Sequence, residues 1–204
     1  MPRWRKKWPR WPSNWGYKLL PHALSPPPSD WILRWQHLLA PHCTVLDLAC
    51  GAGRHLRHFA QQGHRVTGVD RNAEALAPLA HLGEVLPADL ENGPWPLAQR
   101  QFAAVIVTNY LWRPRWPQLR DCLAPGGVLL YETFAHGHAA YGHPRRAEFL
   151  LQPGELLSLC AGWHIVAYEH GVLTSPGSAQ VVQRIAAVRP ASDAADTLLP
   201  LQAE

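Results

Sequence analysis

The stretch Val45-Leu46-Asp47-Leu48-Ala49-Cys50-Gly51-Ala52-Gly53-Arg54-His55 decides the fold. A β-rich apolar run over 44–49 ends in a Gly-x-Gly turn and passes into a helical pattern with Leu56, Phe59 and Ala60 on one face. Strand, glycine turn and helix in that order form the opening unit of a doubly wound sheet. Gly51 and Gly53 let the backbone turn sharply and approach a ligand closely. The helix start behind them offers free N–H groups to a polar ligand. A glycine turn alone fits a dinucleotide fold equally well. Two details tilt the reading away from it. Position 56 is Leu where the dinucleotide fingerprint has its third glycine, and Asp47 sits inside the strand. A carboxylate there is costly unless it meets a partner. The ammonium of a bound amino acid is one such partner; capping of the glycine loop is the alternative.

Outward from this unit, strand and helix patterns alternate. Residues 65–69 read as a second strand, and Asn72 caps a helix carrying Leu76, Leu79 and Ala80. A short third strand covers 84–87 and an apolar fourth 102–108. A helix near 115–123 leads through Pro125-Gly126-Gly127 to a fifth strand at 128–134, and Pro153 starts a helix to about Cys160. Two strands near 163–170 and 180–188 flank Ser175-Pro176-Gly177 with no helix between them. The expected fold is therefore a Rossmann-like, doubly wound α/β sheet of seven strands, mostly parallel, with an antiparallel C-terminal hairpin. Before the first strand, Ser29 or Asp30 caps a short helix over about 30–39, with Trp31, Trp35, Leu38 and Leu39 on one face.

In such sheets ligands bind at the carboxyl ends of the strands. Asp70 ends the second strand about 20 residues beyond the glycine turn, where an acid accepts from both hydroxyls of a ribose. Asp89 follows the third strand, where a carboxylate accepts from an adenine amine or simply closes a turn. Thr108-Asn109-Tyr110-Leu111-Trp112 ends the fourth, where amide and aromatic groups either position a substrate or cover a cofactor.

Over about residues 30–188 the chain resembles the class I S-adenosylmethionine-dependent methyltransferases. The resemblance is carried by VLDLACGAGRH, GHRVTGVDRN, ADLENGPWP, VIVTNYLWRP, LAPGGVLLYETF and FLLQPGELL. The DLACGAGRH form is similar to the tellurite-resistance branch and its bacterial relatives. The resemblance implies S-adenosylmethionine as cofactor. Asp47, Gly51 and Gly53 would face its methionyl part, Asp70 the ribose and Asp89 the adenine, with Ala49, Arg71 and Leu90 as further cofactor contacts. Asn109 and Tyr110 would lie beside the sulfonium. Base N-methyltransferases often carry N-P-P-Y/F at this last place. Asn109-Tyr110-Leu111-Trp112 lacks the prolines, so base N-methylation is not supported.

A sulfonium methyl is already activated, so in-line positioning and exclusion of water are the main tasks. Positioning alone supplies on the order of 7–11 kcal/mol. A general base is needed only when the acceptor must first lose a proton. His136, His138 and Tyr141, beyond the fifth strand, are the candidates to line an acceptor pocket; a solvated loop rich in His and Gly is the bland alternative. His136, His138 and His143 cluster, and His55 and His58 share a helix face. No carboxylate or thiol completes a metal-ligand spacing, so no metal is expected. The expected function is methyl transfer to a small-molecule acceptor. An RNA methyltransferase and a non-catalytic cofactor-binding module remain as alternatives.

Charge divides the chain. Residues 1–18 hold six Lys and Arg and no acid, so the net +4 of the whole leaves −2 for the remainder. This tail places Trp4, Trp8, Trp11 and Trp15 among prolines, and all three Lys fall within it. It is expected to be disordered over 1–24, ahead of a domain at 25–190 and a loose end at 191–204. Nucleic acid or a membrane surface would be met only through it; an extension without function is the third reading. No apolar run reaches the length of a membrane span. The sequence shows no secretory h-region, and its four scattered cysteines fit a reducing cytoplasm. Oligomeric state is not legible.

Overall fold

The computed structural model describes residues 26–175 and 177–191. The readings of the basic tail and of the C-terminal end beyond Ala191 fall outside the described residues. Seven strands are present: β1 Thr44–Leu48, β2 Arg65–Asp70, β3 Glu84–Pro87, β4 Phe102–Thr108, β5 Leu123–Phe134, β6 His164–Ser175 and β7 Ser178–Val188. They form one sheet in the order β3-β2-β1-β4-β5-β7-β6. β7 runs antiparallel to β5 and β6, and every other pairing is parallel. The direction of winding reverses between β1 and β4, which puts a crevice at their carboxyl ends.

Alternation along each strand divides the core between two faces. Val45, Ala104, Ile106 and Leu130 meet Trp31, Ile32, Leu56, Phe59, Leu76 and Leu79. These come from α1 Asp30–Trp35, α2 Arg54–Gln61, α3 Ala73–Leu76 and the turn after α3. Leu46, Leu48, Val105, Val107, Leu129 and Tyr131 face the other way, onto Leu119, Leu156 and Leu159, from α4 Trp116–Asp121 and α5 Glu155–Leu159. Each fully buried Leu or Phe contributes about 1.5–3 kcal/mol. Gly68 shows how closely α2 lies on β2. A Cβ there would come within 2.4 Å of Leu56.

Several boundaries differ from the sequence reading. The helix expected to run to residue 39 ends at Trp35 and continues as a 3-10 turn over Gln36–Leu38. Its start matches: the Ser29 side chain accepts from the Trp31 N–H. β5 begins at Leu123, not 128, running straight through Pro125-Gly126-Gly127. A register irregularity opposite Phe102 and Ala104 absorbs that segment. Pro153 precedes α5 instead of opening it, because Gly154 occupies the N-cap in the left-handed region at φ +74°. The β6–β7 hairpin is longer than expected, reaching Ser175 and Ser178.

Candidate active site

The turn after β1 is held from β2. The Gly51 N–H donates to Asp70 Oδ2 at 2.8 Å, and the Cys50 N–H to the Val69 carbonyl at 3.0 Å. Asp70 Oδ1 accepts from the Asn72 N–H at 2.9 Å. Asn72 in turn caps α3 through the N–H groups of Glu74 and Ala75. One carboxylate thus ties the glycine turn to the start of the next helix. Gly53 sits at φ +73°, where a side chain is strained, and a Cβ there would come within 2.4 Å of the Leu79 side chain and force it to shift.

Two residues other than glycine take left-handed backbone at the ends of adjacent strands: Ala49 after β1 at φ +56° and Asn109 after β4 at φ +55°. Such conformations cost on the order of 1 kcal/mol and cluster at functional sites. Both line a cleft of about 470 Å³ at the switch point. Asp70, Arg71, Asp89, Leu90 and Tyr110 line it as well. Seven of the ten residues singled out as cofactor contacts therefore come together, from four different strand ends.

Asp47, Gly51 and Gly53 are not among the lining residues. Asp47 is 2% exposed and accepts from the Leu56 N–H at 3.0 Å, so it satisfies the third N–H of α2 from inside the strand. Burial raises its pKa to about 7, against the opposing pull of that N–H and of Arg54. Asp47 thus caps the helix itself and not the glycine loop, which was the alternative the sequence offered. Asp89 also closes a turn: Oδ1 accepts from the N–H groups of Glu91 and Asn92, and Oδ2 from the Asn92 amide. Those bonds, the Asn92 N–H first, hold its carboxyl below the usual range. Burial pushes the Tyr110 phenol well above its ordinary value. Its hydroxyl is enclosed and has no partner among the described residues.

The wall beyond β5 differs from the sequence expectation. Thr133, Phe134, Pro144 and Phe149 line the cleft, while His136, His138 and Tyr141 do not. His138 is 3% exposed. Its Nδ1 accepts from the Val181 N–H at 3.2 Å, so its Nε2 donates to the His143 carbonyl at 3.0 Å. Its ring stacks on Phe134 with centroids 4.3 Å apart. It is a strut of the loop, because both nitrogens are engaged by backbone. His136 and Tyr141 are exposed on the same loop. Phe134 was legible as the last residue of a strand aimed at the switch point; Phe149 offered no local signal beyond the FLLQPGELL resemblance.

His55 accepts from the Ser29 N–H at 3.1 Å, and His58 pairs with Gln36 at 2.7 Å. Among the described residues no three His, Cys, Asp or Glu are grouped to hold a metal ion.

Residues 45–127 match the family model described as a methyltransferase domain. The tRNA U34 carboxymethyltransferase of Klebsiella pneumoniae subsp. pneumoniae is 32% identical over 123 residues, covering 52% of this chain and 36% of that protein. The enzyme of the same name from Shewanella sediminis is 36% identical over 126 residues, with the same coverage. The chain thus spans little more than a third of the length of these curated relatives. Among solved structures, TehB from Haemophilus influenzae has a TM-score of 0.65 at 20% identity, covering 78% of this chain and 61% of that one. The 1,6-didemethyltoxoflavin-N1-methyltransferase of Burkholderia thailandensis, bound to its namesake and S-adenosylhomocysteine, has 0.59 at 20% identity. It covers 78% of this chain and 76% of that one.

Proposed function

Given that the chain carries a class I S-adenosylmethionine-dependent methyltransferase domain, we propose that it moves the cofactor's methyl group to a small-molecule acceptor by in-line displacement. The observation that carries this reading is the cleft itself. It joins the acids after β2 and β3 to an apolar wall of Phe134, Pro144 and Phe149 across the end of β4.

The residues fit the cofactor chemically. About 470 Å³ lies within the range of small-molecule sites. Each oxygen of Asp70 takes one backbone N–H, which leaves lone pairs for two ribose hydroxyls. Asp89, held ionised by its turn, accepts from the adenine amine, with Leu90 against the ring. S-adenosylmethionine supplies an activated sulfonium methyl. Asn109 and Tyr110 position the reacting end, and Phe134 and Phe149 seat the acceptor and exclude water. Asp47, buried beneath the glycine turn, would attract the ammonium by its charge, without direct contact. The four cysteines are free, which supports a cytoplasmic setting. Among the described residues no helix is long and apolar enough to cross a membrane.

A second reading, an RNA acceptor, is favoured by the names of the relatives over half of the chain and by the six basic residues of 1–18. Calorimetric titration with S-adenosylmethionine and S-adenosylhomocysteine, with NAD as control, tests the cofactor. Binding of the first two that Asp70→Ala abolishes supports the reading; no binding by folded protein ends it. Transfer of labelled methyl from the cofactor, offered tRNA and a small-molecule extract separately, then decides between acceptors.

A further inference from the structure

Two arginines, two residues apart in the 3-10 turn after β4, reach in different directions. Arg113 Nη1 donates to the Glu148 carbonyl at 2.7 Å and Nη2 to the Leu150 carbonyl at 2.9 Å. These are the carbonyls on either side of Phe149, which lines the cleft. The same guanidinium forks onto Glu155: Nε donates to Oε1, and Nη2 to Oε2 at 2.7 Å. Glu155 Oε2 also accepts from the Gln152 N–H at 2.7 Å. Arg115 turns to the opposite wall. Its Nε donates to the Leu90 carbonyl at 2.8 Å and its Nη2 to the Gly93 carbonyl. It also lies over the Trp95 ring, 5.9 Å from the centroid.

We propose that Arg113 and Arg115 are positioning residues that fix the two walls of the cleft independently, Arg115 the 89–93 loop and Arg113 the 148–155 segment. Both loops are irregular, so their own backbone bonding leaves carbonyls to be satisfied by side chains. A planar fork with several fixed donors matches paired carbonyls and carboxylates, which a Lys ammonium cannot do. Both clamps are rooted beside Asn109 and Tyr110. The two walls are therefore referenced to the strand end that carries the reacting region, though they are separated in sequence by more than 50 residues. Neither arginine touches the space a substrate would occupy, except that the loops they hold line it. Assigning the 89–93 loop to cofactor and the 148–155 segment to acceptor rests on the reading proposed above.

Hydrogen exchange on the full chain, with titration of S-adenosylhomocysteine, tests this. Arg115→Gln should lose at least tenfold of its protection across 89–95 and weaken S-adenosylhomocysteine about tenfold, with 147–156 unchanged. Arg115→Lys should restore neither. Arg113→Gln should lose protection across 147–156 only and keep its affinity within twofold. Should Arg113→Gln fail to fold, Glu155→Gln removes the same fork and should loosen the same segment. Loosening of both loops by either substitution, of neither loop, or equal losses of affinity in both variants would overturn the proposal. If the wild-type chain binds no S-adenosylhomocysteine, the cofactor reading fails and the exchange pattern alone decides the clamps.

Discussion

Asp47 and Leu56 are joined across the first strand and the second helix: the buried carboxylate accepts the Leu56 N–H at 3.0 Å. An ionised oxygen there satisfies a helix-end donor and complements the dipole of α2. Burial nevertheless lifts its pKa from 3.8 to about 7. Between about pH 4 and 7 the native chain therefore holds a proton that the unfolded chain has released. The stabilisation is complete below the unfolded value and is lost as pH rises through the folded one. Urea unfolding at pH 5 and pH 8 should show a larger fall for wild type than for Asp47→Asn, whose amide oxygen still accepts the N–H. Equal falls would refute this.

On the proposed reading, the same carboxyl links cofactor binding to proton release. A cation brought to Asp47 favours its charged form, so binding of S-adenosylmethionine near pH 7 should release part of a proton. Binding heats in buffers of different ionisation enthalpy should differ for wild type and coincide for Asp47→Asn. Buffer-independent heats in wild type would mean that Asp47 serves the helix alone.

Ala49 at φ +56° carries strain that glycine would not. Ala49→Gly should raise stability by about 0.5–1 kcal/mol, the left-handed penalty less the added chain entropy. Asn109→Gly should gain less, since Asn tolerates that region well. Ala49→Val should lose more than about 1 kcal/mol. Denaturant midpoints decide, and a loss on Ala49→Gly would contradict the account.

His138 ties the loop after β5 to β7 and supports Phe134. His138→Ala leaves a buried N–H and a carbonyl short of partners and opens a cavity, at a cost of about 2–4 kcal/mol. Affinity for S-adenosylhomocysteine should change far less than stability. Unchanged stability with lost turnover would restore His138 as a participant in the chemistry.

Glu132, on β5, accepts from Ser29 Oγ at 2.8 Å and pairs with Arg184 at 3.3 Å, and Arg184 also pairs with Glu169 at 2.6 Å. Arg184 lies over the Trp31 ring, 4.8 Å from the centroid. Arg184→Met leaves a buried carboxylate without its cation and should cost about 3 kcal/mol; adding Glu132→Gln should recover much of it. A double-mutant cycle with no coupling would show that the pair contributes nothing.

The strands, the α/β class of the sheet and the cleft-lining acids Asp70 and Asp89 were legible because each depends on local chemistry. The order of the strands, by contrast, is set by pairing across the sheet. Val45 to Leu48 alternate between two apolar faces, Gly51 and Gly53 meet a requirement only glycine fills cheaply, and Asp70 ends a strand whose direction the β-α alternation sets. The hairpin was legible for the same reason, though its length was not, because strand ends are set by partners. Asp47 was legible as a buried acid but not as a helix ligand, since strand position does not tell which way a carboxylate points. The histidines of 136–143 drew notice by composition, yet packing turned His138 inward and gave the cleft to Phe134, Pro144 and Phe149. Arg113 and Arg115 drew no reading from the sequence. Their partners lie 22 to 42 residues away along the chain, and only the folded sheet brings those carbonyls within reach.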